Sequence, residues 1–65
     1  MKKLCTFGKE IKTKLVAIDR NQKWLVEEVK KDTHGYFDSG YLHRIMTGEL
    51  TTPKIITSIK KILDI

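Results

Sequence analysis

Residues 38–48, DSGYLHRIMTG, decide how this chain reads. Their spacing predicts a short helix with a marked start and stop. Asp38 is a good N-cap, because a carboxylate there accepts hydrogen bonds from the free amides of the first turn. Phe37 before it and Leu42 after it have the spacing of a hydrophobic staple. Gly48 follows the last helical candidate, Thr47, and suits the left-handed stop. Between cap and stop, Leu42, Ile45 and Met46 fall on one face at i, i+3 and i+4. Ser39, Gly40, His43 and Arg44 fall on the other, which opens with small residues and continues with an imidazole and a guanidinium. Such a face fits a polar, negatively charged partner; it is also what the solvated side of an ordinary amphipathic helix looks like.

Length and composition set the bounds around this segment. At 65 residues the chain is expected to be one domain, near the lower limit for a core without staples. The single cysteine, Cys5, has no partner for an internal disulfide and is expected to be a small apolar filler. With no secretory signal sequence, the expected location is the reducing cytoplasm. No apolar run approaches the ~20 residues of a membrane span, so no membrane partner is expected. A net charge of +5 and a pI near 9.5 favour an acidic partner, since a basic surface concentrates polyanions around it.

Helix signals dominate the rest, with no alternating β-branched run, hairpin turn, repeat or low-complexity segment. A first helix is predicted from Thr6 as N-cap, with Phe7, Ile11, Leu15 and Ile18 as its apolar stripe. Asp19-Arg20-Asn21 interrupts it, and Asn21 caps a second helix. That helix buries Leu25, Val26 and Val29, exposes Gln22, Lys23, Glu27 and Glu28, and frays near Lys31 or Asp32, where Gly35 turns the chain. After Gly48, Thr52-Pro53 is a strong start for a last helix, a capping hydroxyl followed by proline at the first position. Ile55, Ile56, Ile59, Ile62 and Leu63 form its broad apolar face, opposite Lys54, Lys60 and Lys61. The predicted fold is all-α, a bundle of about four helices around one core.

Asn21-Gln22 opening a helix, Leu25 and Val29 inside it, then Tyr41-Leu42, Ile45 and Gly48, together resemble the phage Cro/repressor (lambda-repressor-like) type of helix-turn-helix regulator. The run TGELTTPK is similar to that family's loop into its next helix. FGKEIKTKL and IKKIL are similar to small phage or mobile-element regulators of Gram-positive bacteria. The resemblance covers residues 7–63. It implies binding to double-stranded DNA as a transcription regulator such as a repressor, with the 38–48 helix in the major groove, which is about 12 Å wide and admits a helix. By the same resemblance Ser39, Gly40, His43 and Arg44 would face base edges, with Arg44 matched to the O6 and N7 acceptors of guanine. Gln22, Lys23, Tyr41, Thr51, Thr52 and Lys54 would meet the sugar-phosphate backbone. It implies no cofactor and no small-molecule substrate.

Two features depart from the family pattern. Residues 30–37 make a connection longer than the usual 3–4-residue turn, and Trp24 stands where a polar residue is normal. A single cause is expected for both, with Trp24 packing on Tyr36 or Phe37 so that the long turn folds back over the second helix. Alternatively Lys30, Lys31 and His34 of that turn contact the backbone themselves. Catalysis has little support: Ser39 and His43 are four apart, yet nothing orients the imidazole. Cys5, His34 and His43 lack metal-ligand spacing. The rival from another class is a protein-interaction module that binds another regulator, as an antirepressor would. Its mark would be a solvent-facing apolar patch, from Trp24, Tyr36 and Phe37 or from Ile62-Leu63-Asp64-Ile65, and the latter run could equally support a homodimer.

Overall fold

The structure, a computed structural model, describes residues 3–65. Among them are four helices and no strand: α1 (Thr6–Ala17), α2 (Gln22–Thr33), α3 (Ser39–Thr47) and α4 (Pro53–Leu63). The expected all-α architecture with four helices is what the chain adopts. Helices α2 and α3 bury their predicted stripes, Leu25, Val26 and Val29 and Leu42, Ile45 and Met46, whereas α1 buries Ile11 and Leu15 with Phe7 half-buried, and α4 buries Ile55, Ile59 and Leu63 with Ile56 and Ile62 half-buried. Phe37, in the connector before α3, completes the core. The radius of gyration, 10.6 Å, is that of a close-packed chain of this length, about 10.7 Å. Helix α4 packs chiefly along α2, and α1 chiefly against α3, so the inner side of α3 is covered by the rest of the molecule.

Several local expectations are corrected. The cap of α1 is Cys5, one residue before Thr6. Its sulfur accepts the Gly8 amide at 3.4 Å and donates to the Ile45 carbonyl at 3.8 Å. Its own amide donates to the Met46 carbonyl at 2.9 Å. The thiol is therefore a capping and docking group between α1 and the end of α3, and not only a filler. Ile18, assigned to the α1 stripe, is the C-cap residue and lies exposed, because the helix ends at Ala17 and the chain turns outward. Glu28, expected in solvent, is half-buried.

The largest correction concerns the segment after α2. The helix does not fray at Lys31 or Asp32 but continues to Thr33. Three bonds hold this last turn. Thr33 Oγ1 donates to the Val29 carbonyl at 2.9 Å, Ser58 Oγ of α4 donates to Asp32 Oδ2 at 2.7 Å, and Lys61 pairs with the other Asp32 oxygen. The left-handed cap is His34 (φ 55°), not Gly35. Histidine is among the side chains that enter this region more readily than most. Only His34, Gly35, Tyr36 and Phe37 then remain between α2 and the cap of α3, so the long connection predicted over 30–37 is mostly helix.

Trp24 does not pair with Tyr36 or Phe37. The guanidinium of Arg20 lies 5.2 Å from the centre of its ring, and the half-buried indole packs against the core edge. The ring that Phe37 meets is Tyr41, at 5.0 Å between centroids.

Candidate functional site

Helix α3 is built from its ends. At the start, Asp38 Oδ1 accepts the Tyr41 amide at 2.7 Å, as the N-cap reading requires. The hydroxyl of Tyr36 donates to Oδ2 of the same carboxylate. Both carboxylate oxygens are thus engaged by the protein itself. Tyr36's hydrogen bond, seconded by the Tyr41 amide, holds the Asp38 carboxyl below the ordinary value of 3.8. The same carboxylate pushes the Tyr36 hydroxyl above 10.0. At the far end Gly48 takes φ 84°, and its amide donates to the Ile45 carbonyl at 3.2 Å, which closes the helix.

The two faces separate as the periodicity requires. Leu42, Ile45 and Met46 are buried, whereas Ser39, Gly40, His43 and Arg44 are all exposed. At Gly40 a Cβ would touch Asp38 Oδ1 at 3.4 Å. The Arg44 guanidinium is in no ion pair among the described residues. The outward face therefore begins with small residues and ends with an imidazole and a planar cation.

Tyr41 leaves the apolar face at its rim. It is half-buried, and its hydroxyl lies 2.9 Å from Thr52 Oγ1. That bond corrects the expectation for Thr52: the residue stands at the N-cap of α4, but its hydroxyl caps no amide and is spent on Tyr41. The consequence is positional. It ties the start of α4, with exposed Thr51 and Lys54, to the first turn of α3. Gln22 and Lys23, at the opening of α2, are exposed but share no hydrogen bond or ion pair with α3 among the described residues. They line instead a shallow groove between α1 and α2, beside Lys12 and Arg20.

No motif in the sequence marks either of those two cations, or the Tyr36 hydroxyl. A usable signal for Arg20 is its spacing of four from Trp24, which sets a guanidinium over an indole across the α2 cap. Among the described residues no group of three His, Cys, Asp or Glu side chains could hold a metal ion, and no helix is long and apolar enough to cross a membrane. No protein-family model matches the chain, and no curated protein or solved structure matches it either.

Proposed function

We propose that this chain is a sequence-specific duplex DNA-binding regulator of the Cro/repressor helix-turn-helix type, with α2 and α3 as the two helices and α3 in the major groove. The observation that carries this reading is the outward face of α3, where Ser39, Gly40, His43 and Arg44 are exposed together on a helix capped at both ends. A rigid helix with small residues first and hydrogen-bond donors behind them has the shape that base edges admit, and arginine's fork suits guanine. The connector of His34, Gly35, Tyr36 and Phe37 supports the same reading, since its length is that of a helix-turn-helix turn. The start of α4, tethered through Thr52 to Tyr41, offers Thr51 and Lys54 to a phosphate beside the groove.

The interaction-module alternative draws less support. Of the aromatic patch it needs, Phe37 is buried and Trp24 half-buried, which leaves Tyr36 alone in solvent. In the C-terminal run Leu63 is buried and Ile62 half-buried, which leaves Ile65 as its exposed apolar residue.

The test is a titration of labelled duplex DNA at several salt concentrations. A groove binder loses affinity with a log–log slope of about −0.9 per phosphate neutralised. Salt-insensitive binding, or equal affinity for duplex and a neutral polymer, would remove the DNA reading in favour of a protein partner.

A further inference from the structure

We propose that the groove between α1 and the start of α2 is a phosphate cradle for the DNA backbone, in which Trp24 positions Arg20. The inference rests on the duplex-binding reading and adds to it two contacts, Lys12 and Arg20, and a role for the indole.

Three cations, Lys12, Arg20 and Lys23, line this groove together with Asn21 and Gln22, beside Leu15 and the exposed Val16 of α1. No acidic residue lines it; Asp19, next to Arg20 in the chain, stays outside. None of the three cations is in an ion pair among the described residues. Like charges gathered in one concavity without a counter-charge raise the local potential and draw in an anion. The groove is open and shallow, which does not suit a small ligand that must be mostly enclosed. It suits a phosphate chain lying across it. Gln22 and Lys23, already set over a phosphate in the DNA reading, belong to this same groove.

Of the three, Arg20 is the cation that a ring contact restrains. Its guanidinium lies 5.2 Å from the centre of the Trp24 ring, and the attraction between cation and ring face restrains it. The guanidinium carries five donors, and none of them is in a hydrogen bond among the described residues, so its fork is available to phosphate oxygens. Trp24 is half-buried against the core edge and so anchors this arrangement to the interior. A lysine at position 20 would keep the charge without the planar contact.

The experiment measures duplex binding by anisotropy at several salt concentrations for the wild-type chain, Arg20→Ala, Arg20→Lys, Trp24→Leu, Trp24→Phe and the Arg20→Ala/Trp24→Leu double variant. Arg20→Ala is expected to reduce the salt slope by about 0.9 and to weaken selected and random duplexes alike. Trp24→Leu is expected to lose part of the same slope, Trp24→Phe to restore it, and the double variant to lose no more than Arg20→Ala alone. The chain has one tryptophan, so its emission reports on the Arg20 contact beside the cradle. Duplex addition should change that emission in the wild type and not in Arg20→Ala. Arg20→Lys should keep most of the slope while losing the emission change, which preserves the test if Trp24→Leu fails to fold. A full slope in Arg20→Ala beside a loss of specific binding in Arg44→Ala would overturn the cradle and leave the DNA reading standing. Binding of inorganic phosphate in the groove with no effect on the duplex slope would also overturn it. No salt-dependent duplex binding by the wild type would end both.

Discussion

Gly8 of α1 faces the Met46 carbonyl of α3 so closely that a Cβ on Gly8 would stand 2.0 Å from the carbonyl oxygen. The same carbonyl accepts the Cys5 amide at 2.9 Å, so the contact docks the start of α1 on the end of α3. Alanine normally stabilises a helix relative to glycine by about 1 kcal/mol. Here the methyl group would meet backbone that cannot swing aside. Gly8→Ala is therefore expected to destabilise the chain by about 1–3 kcal/mol, the usual range for overpacking, in a urea melt. A melt unchanged or shifted upward would mean that α1 does not approach α3 this closely.

Acid should loosen the join between α2 and α4. Lys61 and then Ser58, hydrogen-bonded to Asp32, hold its carboxyl below the ordinary 3.8. A carboxyl lowered by folding contributes stability that is complete above the unfolded value and is lost as pH falls through the folded one. The window is thus below pH 3.8, and Asp38 falls in the same window. Tyr36 behaves oppositely: raised by folding, it contributes below pH 10.0 and loses that contribution as pH climbs further. Asp32→Asn is expected to lower the melting temperature at neutral pH and to flatten its fall below pH 4. A pH profile parallel to the wild type would show that Asp32 has no such linkage.

Removing the hydroxyl of Tyr41 should detach the start of α4 from α3. Tyr41→Phe leaves the ring in place beside Phe37 but removes the 2.9 Å bond to Thr52. The expected loss is about 0.5–1.5 kcal/mol, typical of one hydrogen bond. It should appear as a lower urea midpoint with an unchanged slope. Thr52→Ala should cost a similar amount, and the double variant clearly less than the sum. Strict additivity would mean that the two hydroxyls do not interact.

The parts legible in the sequence were those in which one residue type answers one local need. Asn21, Asp38 and Gly48 cap where their chemistry says they should, the stripes of α2 and α3 bury the aliphatics their spacing selects, and that of α4 buries three of its five. What was not legible depends on partners distant in the chain. The α2 helix outlasts its polar end because Asp32 meets Ser58 and Lys61 of α4, a contact that no local window contains. Sulfur is a weak acceptor and does not signal a cap, yet the place of Cys5 against Ile45 and Met46 makes it the cap in preference to Thr6. For the candidate site, periodicity alone separated exposed Ser39, Gly40, His43 and Arg44 from the buried face. The same pattern gave no hint that Thr52 would turn its hydroxyl to Tyr41, or that Trp24 would meet Arg20 in place of Phe37.

The central claim, that the outward face of α3 reads base pairs, is tested most directly by selecting bound sites from a random duplex pool with the wild type and with Arg44→Ala. The expected result is one enriched site for the wild type containing a guanine whose preference, about 1–3 kcal/mol at that base pair, disappears in Arg44→Ala while binding to unselected duplex survives. No enrichment by the wild type, or the same guanine preference with Arg44 gone, would contradict it.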